Sequence, residues 1–444
     1  MALSGLDIYK LLPKTNCREC GFATCLAFAM QLAKKAVSID KCPYLSEEAK
    51  KALEASSLPP IKLVSVGAQE GRLEVGNETV MFRHEEKFHR ACGIGFIVED
   101  SLTDNQIKEK LGKINKLKFE RVGQELAVNL IALKQSQGTE RFIEVLTLVS
   151  KNTSLALTLM CRDPLTLKKS LEIVAAKRPL VYRASKDNLA DFAALANDYK
   201  VPVVASAPSL EDLGALAREL NNQGVHDLIL DTGAKPISEK IWDLTQIRRQ
   251  SLKSSNRSLG YPALVITQKQ DPYEEAQEAA TYITKYAGII LMRGIETWQI
   301  LSLLTLRQNI YTDPQKPLQI EPKLYPIGSV TKQSPVLVTT NFSLTYYTVL
   351  GEVEASKVPV YIISIDTEGM SVLTAWAAEK LTPEKISGFL KKCGVKDSIA
   401  HNSLIIPGYV AVMSGDLEEQ SGWKVIVGPK EASGIPSFLK NLHF

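Results

Sequence analysis

PLVYRASKDNLADFAALANDYKVPVVASAPSLEDLGALARELNNQGVHDLILDT, residues 179–232, sets the architecture. It holds three apolar runs: PLVYRAS (179–185), VPVVASAP (201–208) and HDLILDT (226–232). Helix-length amphipathic stretches such as SLEDLGALARELNN separate them. Runs this apolar have no polar face to turn toward water, so they suit strands of a parallel sheet covered on both sides. The alternation continues in both directions. Upstream lie GIGFIVED (93–100), ELAVNLIALK (125–134) and SLALTLMCRD (154–163); downstream lie YPALVITQ (261–268) and GIILMRG (288–294). Eight such units in about 220 residues predict a TIM (β/α)8 barrel, with an open doubly wound sheet as the alternative.

Moving outward, SSLPP at 56–60 marks a boundary before the barrel. Between 61 and 90, IKLVSVG, RLEVG and ETVMFRH alternate apolar and polar residues and predict an antiparallel hairpin that caps the barrel or connects to it. Beyond it, DPQKPLQIEPKLYPIGSVTKQSP (313–335) carries five prolines and reads as a linker. The α/β pattern then restarts with strands VLVTT (336–340), VPVYIISID (358–366), SLIIPG (403–408) and WKVIVGP (423–429). That is a small doubly wound domain. The expected division is a helical domain at 1–57, a barrel at 58–312, a linker at 313–335 and an α/β domain at 336–444.

The chain has 444 residues, 45% hydrophobic and 23% charged, with a formal net charge of +4. This is a globular composition with no long run of like charge, and it gives no reason to expect nucleic acid. MALSGLDIYKLLPK lacks the long apolar core of a signal peptide, and no stretch reads as a membrane span, so a cytoplasmic location is expected.

Four of the seven cysteines fall at Cys17, Cys20, Cys25 and Cys42, spaced C-x2-C-x4-C-x16-C and followed by Pro43. A tight cluster with scattered singles points to a metal site rather than a disulfide scaffold. Gly21 allows a tight turn beside the first pair, and Cys25 opens the helical stretch GFATCLAFAMQLAKKAVS, whose amides could donate to cluster sulfurs. A second helix, SEEAKKALEA, is expected with Ser46 as N-cap. The three-plus-one spacing ending in Cys-Pro favours a 4Fe–4S cluster. A structural zinc site, usually two short knuckles, is the competing reading. Cys92, Cys161 and Cys393 sit in or beside apolar segments and read as buried small hydrophobes.

In the C-terminal domain, four loops follow the strands: from Thr339 through Thr340 to Thr345 and Tyr346, Asp366 to Ser371, Ile406 to Tyr409, and Gly428 to Gly434. Ligands of open α/β sheets bind at such carboxyl ends. Rich in Gly, Ser, Thr and apolar residues, these loops suit a large flat ligand edged with amides. Neither G-x-G-x-x-G nor G-x4-G-K-[ST] is present, which argues against a nucleotide. Polar loops at strand ends also occur in any α/β domain.

The cysteine motif, the central barrel, the small α/β domain and its loop DTEGMSVLTAW (366–376) together resemble the corrinoid iron–sulfur protein large (gamma) subunits of the acetyl-CoA synthase/carbon monoxide dehydrogenase (Wood–Ljungdahl) pathway. The resemblance covers the whole chain. It implies a methyl carrier, a component of a corrinoid-dependent methyltransferase system rather than a stand-alone enzyme. Its cobalt would cycle between Co(I) and methyl-Co(III), accepting the methyl group of methyltetrahydrofolate from a methyltransferase and delivering it to acetyl-CoA synthase. The 4Fe–4S cluster would return Co(II) to Co(I). A small subunit would complete a heterodimer. Carried over by position, Thr340 and Tyr346 are expected at the corrin edge, and Met370, Ser371, Val372, Leu373 and Thr374 under or along the ring. Ala432, Ser433 and Gly434 would close the far side, with Gly408 nearby.

Many corrinoid domains give cobalt a histidine from D-x-H-x-x-G, a motif absent here. None of His84, His89, His226, His401 and His443 lies in the 366–376 loop. The corrinoid is therefore expected base-off, without a protein axial ligand, which eases access to Co(I). His401 and His443 read as ordinary surface histidines. Two other functions compete. A self-contained pterin-dependent barrel methyltransferase would use polar strand ends at Glu99, Asp100, Arg162, Asp163, Arg183, Asp231 and Arg293, although such residues also serve as structural ion pairs. An electron-transfer iron–sulfur scaffold would carry no corrinoid. The cluster domain, ahead of SSLPP, is expected to move so that the corrinoid can reach each partner.

Overall fold

The computed structural model describes residues 5–33, 37–46, 49–50, 53, 59–254 and 256–442. The chain falls into two compact units. The first comprises Met1–Lys118 with Ala127–Tyr311, and the second Phe119–Leu126 with Thr312–Phe444.

In the first unit, all eight expected barrel strands form and close on one another through parallel pairs. With β1 (Val64–Val66), β2 (Leu73–Val75), β4 (Lys118–Arg121) and β5 (Gln124–Ala127) lying outside the barrel, its strands are β3 (Gly93–Glu99), β6 (Leu130–Lys134), β7 (Ala156–Met160), β8 (Leu180–Ala184), β9 (Val203–Ser206), β10 (Leu228–Asp231), β11 (Ala263–Ile266) and β12 (Ala287–Met292). The apolar runs are buried on both faces, because alternate residues fill the barrel interior while the others meet the helices. Polar caps start those helices. Thr103 and Gln106 form a reciprocal capping box, and Asp163 and Asp271 each precede a proline at the first helical position.

Of the hairpin expected between 61 and 90, IKLVSVG and RLEVG form β1 paired antiparallel with β2, whereas ETVMFRH (78–84) forms no strand. Val64, Val66, Leu73 and Val75 of the hairpin join the barrel's interior cluster. The fit is close at the amino-terminal end of the strands: a Cβ on Gly93 would lie 2.5 Å from a Leu73 methyl. The hairpin therefore plugs that end.

One expected strand divides. ELAVNLIALK contains no Gly or Pro and only Asn129 as a turn-favouring residue, yet Gln124–Ala127 pairs with Lys118–Arg121 as a separate hairpin, and Leu130–Lys134 alone enters the barrel. Val122 and Gly123 make the turn at φ +56° and +67°, a conformation suited to a two-residue hairpin. The break falls at Asn129, whose side chain accepts the Ile94 N–H (3.1 Å) and the Arg307 guanidinium (2.6 Å). Val122 packs with Ile320 and Tyr325, so the hairpin belongs to the second unit.

The second unit is a five-stranded sheet of order β13-β15-β14-β16-β17, with β13 (Leu324–Ile327), β14 (Val336–Thr340), β15 (Val360–Ile365), β16 (Ser403–Ile406) and β17 (Lys424–Val427). The last four run parallel, and β13 is antiparallel at the edge. β13 lies inside the stretch read as a linker. Prolines hid it, but Pro326 is tolerated because an edge strand leaves one side unpaired. Helix Ser343–Ser356 and helix Ile435–Lys440 cover one face of the sheet; helices Pro383–Leu390 and Ser414–Ser421 cover the other. The change of face makes the junction of β14 and β16 the topological switch point.

In the cysteine region, helix Gly5–Leu11 packs on helix Cys25–Ala33 through Ile8, Leu12, Phe28 and Ala29. The second helix is shorter than expected, starting only at Cys25; residues 34–36 lie outside the described residues. Of the helix expected at 46–55, Ser46 Oγ accepts the Ala49 N–H (3.2 Å), and residues 47–48, 51–52 and 54–55 lie outside the described residues, as does most of SSLPP. Among the described residues, no helix is long and apolar enough to cross a membrane.

Candidate functional site

The cysteine loop is built on unusual backbone. Lys14, Asn16 and Arg18 adopt positive φ (59°, 50° and 67°) and Gly21 follows at +84°. Its N–H closes the turn on the Arg18 carbonyl (2.9 Å). Asn16 Oδ1 accepts the backbone N–H of Cys25 (2.8 Å), so the first amide of that helix is already taken. Cys42 ends a 3-10 turn, Ile39–Lys41, donating its N–H to the Ile39 carbonyl (3.1 Å). The Tyr44 hydroxyl donates to Glu19 (2.8 Å), joining the segment of the last cysteine to that of the first pair.

Cys17 is exposed, Cys20 and Cys42 are half-buried and Cys25 is buried. Burial raises the Cys42 thiol above its ordinary pKa, and Cys20, Cys17 and Cys25 are near enough to raise it further. Cys42 with three thiols in electrostatic range of it forms a soft donor set of the kind that ligates iron–sulfur clusters. Among the described residues, no three Cys, His, Asp or Glu side chains are close enough to clasp a single ion. A cubane cluster asks for a wider spacing, since each thiolate binds a different iron.

The second feature is a cleft of about 320 Å³ at the switch point. Its floor is Thr339, Ile406 and Pro407 at the ends of β14 and β16. One wall is the face of helix Ser343–Ser356 carrying Leu344, Thr345 and Thr348; the other is Ser371, Val372 and Leu373. Pro429, Lys430 and Ala432 close the end. Lys430 is the one charged residue of the lining. The hydroxyls of Thr339, Thr340 and Ser364 are buried with no hydrogen-bond partner. An apolar slot with the orphaned Thr339 hydroxyl at its floor and exposed apolar side chains at its rim (Leu344 67%, Leu373 46%, Tyr409 41%) fits a large flat ligand with polar edges.

Of the residues expected there, Ser371, Val372, Leu373 and Ala432 line the cleft. Met370 packs against the neighbouring core, and Thr374 is exposed, its hydroxyl 3.0 Å from that of Ser371. Thr340 and Tyr346 are buried away from the lining; Tyr346 packs between Tyr325 and Tyr347, with ring centroids at 5.0 and 5.5 Å. Gly408 lies behind the lining. A Cβ there would stand 2.6 Å from the Gly428 carbonyl oxygen and 2.8 Å from the Lys430 nitrogen. Ser433 is exposed in the turn Ala432–Gly434, and Gly434 sits against Pro429. Sequence reasoning missed Leu344 and Thr348. Their i, i+4 spacing at the start of a helix that leaves a strand end was the available signal.

The polar barrel ends are mostly paired within the barrel. Glu99 meets Lys134 (2.8 Å), and Asp231 accepts the Tyr182 hydroxyl (2.9 Å) and pairs with buried Lys240 (3.3 Å). Asp100 accepts from Ser136 and Gln137, and Asp163 caps its helix through Thr166. Arg183 donates to Ser206 (3.0 Å) and Arg293 to the Thr267 carbonyl (3.0 Å), while Arg162 is exposed. His401 is half-buried, bridging the Ser334 carbonyl and the Ser403 N–H (both 3.1 Å); His443 lies outside the described residues. Cys92 and Cys161 are buried and Cys393 half-buried. Burial pushes the Cys92 thiol up to about 12 and Cys161 to about 11.

Comparison with known proteins places these features in a family. The sequence pattern described as "CO dehydrogenase/acetyl-CoA synthase delta subunit" matches residues 63–439, and one described as "Putative Fe-S cluster" matches residues 12–44. The chain is 45% identical to the corrinoid/iron-sulfur protein large subunit of Moorella thermoacetica, covering 99% of each chain. It is 36% identical to the acetyl-CoA decarbonylase/synthase complex subunit gamma of Methanothermobacter thermautotrophicus, over 100% of this chain and 99% of that one. The corresponding gamma subunit of Methanocaldococcus jannaschii is 34% identical, over 99% and 96%.

Proposed function

The chain belongs to the family of corrinoid/iron–sulfur protein large subunits and acetyl-CoA decarbonylase/synthase gamma subunits, and from that premise we propose that it is a methyl carrier holding a corrinoid in the C-terminal cleft and a 4Fe–4S cluster on Cys17, Cys20, Cys25 and Cys42. The observation that carries the proposal is the switch-point cleft itself, apolar and floored by the unpartnered Thr339 hydroxyl. Held in the cleft, a corrinoid would supply a cobalt able to accept and give up a methyl group, and a cluster on Cys17, Cys20, Cys25 and Cys42 would supply an electron to return that cobalt to its reduced state.

The rest is the work of this chain's residues. Val372 and Leu373 offer an apolar face to the ring and exclude water from it. Thr339 and Ser371 offer hydroxyls to its amide edge, and Lys430 a positive charge at one end. Among the described residues no histidine lines the cleft, and in this reading a corrinoid held there would be base-off, without a protein axial ligand. In this reading the segment from Cys17 to Cys42 carries the cluster. The chain's partners are a small subunit, a methyltetrahydrofolate methyltransferase and acetyl-CoA synthase, and the setting is the cytoplasm. The barrel serves as scaffold: Glu99 and Asp231 are paired with Lys134 and Lys240, and Arg183 and Arg293 donate to the Ser206 hydroxyl and the Thr267 carbonyl.

The test is metal analysis of protein purified anaerobically with its small subunit, together with electron paramagnetic resonance. About four irons and one cobalt per chain, with a base-off Co(II) signal, are expected. Iron without cobalt would leave an electron-transfer scaffold, and zinc in place of iron would overturn the cluster assignment.

A further inference from the structure

Asn341 is 1% exposed, immediately beyond β14, and every polar atom of it is used. Its Oδ1 accepts the Thr367 N–H (2.9 Å), the Thr367 hydroxyl (3.0 Å) and the Gly369 N–H (3.0 Å). Its Nδ2 donates to Gln319 Oε1 (3.2 Å) and Asp366 Oδ1 (3.1 Å). Its backbone N–H donates to the Ile365 carbonyl (2.9 Å), and its carbonyl accepts the Ile320 N–H (2.8 Å). One side chain thus ties together the end of β14, the segment before β13 and the loop after β15.

That loop, Asp366 to Met370, has no helix or strand of its own. It leads directly into Ser371, Val372 and Leu373, one wall of the cleft. Its other internal bonds are the Glu368 N–H to Asp366 (3.0 Å), the Thr367 hydroxyl to the Met370 carbonyl (3.1 Å) and the Met370 N–H to the Thr367 carbonyl (3.2 Å). Gly369, at φ +75°, lies so close to the Gln319 segment that a Cβ would stand 2.8 Å from Gln319 Cγ. Thr367 is fully buried. Without the Asn341 carboxamide, the amides of Thr367 and Gly369 would be buried donors with no acceptor, and the loop would have to shift to find one.

We propose that Asn341 is a positioning residue for the corrinoid, fixing the 366–370 loop so that Ser371, Val372 and Leu373 form a preorganised wall of the cleft. The inference rests on the corrinoid reading of that cleft. Asn341 itself touches no ligand. It acts through the loop, so its loss should weaken binding without altering which groups contact the ring.

The experiment uses the full chain with its small subunit, freed of corrinoid and titrated with aquacobalamin by difference absorption. Asn341→Ala should weaken binding about 10- to 100-fold, the equivalent of one or two lost hydrogen bonds. Its iron content should match the unsubstituted protein, and its spectrum at saturation should be unchanged. Asp366→Ala removes an exposed acceptor of the same network and should weaken binding severalfold with no change in melting temperature; it also decides the matter if Asn341→Ala does not fold. Unchanged affinity in the variants that fold would overturn the positioning role. So would an affinity loss in Asn341→Ala matched by unfolding, with Asp366→Ala binding normally, which is what a purely structural asparagine would give. Failure of the unsubstituted protein to bind aquacobalamin would instead overturn the corrinoid reading.

Discussion

Leu337 and Ile405 are, among the described residues, the one backbone register pair that joins β14 to β16. On either side the sheet is fully stitched: β14 pairs with β15 from Val336 to Thr340, and β16 with β17 from Ser403 to Ile406. The gap beyond Leu337 coincides with the switch point, where helices leave to opposite faces and neither covers the strand ends. This explains both the cleft and the Thr339 hydroxyl stranded in its floor.

That hydroxyl should help binding at the expense of the empty domain. Thr339→Val keeps the shape and removes a buried unpaired group. It should raise the stability of corrinoid-free protein by about 1 kcal/mol and weaken corrinoid binding roughly fivefold. Calorimetric melting and aquacobalamin titration measure the two effects. Tighter binding in the variant would show that the hydroxyl does not meet the ligand.

Gly408 should tolerate no side chain. A Cβ would meet backbone atoms of Gly428 and Lys430, which cannot turn aside as a flexible side chain could. Gly408→Ala should therefore displace the strand end that carries Lys430. We expect a cost of about 1–3 kcal/mol to the C-terminal unit and weaker corrinoid binding, with iron content unchanged. Equal affinity in a folded variant would remove Gly408 from the account.

The cysteines should divide cleanly. Alanine at Cys17, Cys20, Cys25 or Cys42 should abolish the intact cluster, read as lost iron and a lost cluster signal. Alanine at Cys92, Cys161 or Cys393 should leave iron unchanged and cost only about 1 kcal/mol of packing. Iron lost on substitution of Cys161 would redraw the ligand set.

Alkaline pH should destabilise the barrel in part through Cys92. Its folded pKa is raised from 9.0 to about 12 by burial. Below pH 9 the thiol is protonated in both states and stability is unaffected. Above it the unfolded chain releases a proton that the folded chain keeps until about pH 12. Stability should then fall by up to about 1.4 kcal/mol per pH unit from this group. Cys92→Ala should flatten the decline of melting temperature between pH 9 and 11, and an unaltered slope would assign it to buried tyrosines such as Tyr282 and Tyr311, whose pKa values burial also raises.

Much of this protein was legible in one dimension. The near-continuous apolar strands required burial on both faces, and alternation with helices left a parallel barrel and a small doubly wound sheet as the outcome. The spacing of Cys17, Cys20, Cys25 and Cys42 announced a metal site because ligand geometry constrains local sequence. Features that depend on distant segments were not legible. Prolines concealed β13, since nothing local says that Pro326 will lie on an edge. The run 125–134 looked uniform, and only the partners of Asn129 reveal where it breaks. Loop position named Ser371 to Leu373, but the opposite wall comes from a helix after a different strand, and Thr340 and Tyr346 turn inward. Sequence periodicity reports which residues must leave water; which of them face one another across a cleft is fixed only when the strands separate beyond Leu337 and Ile405.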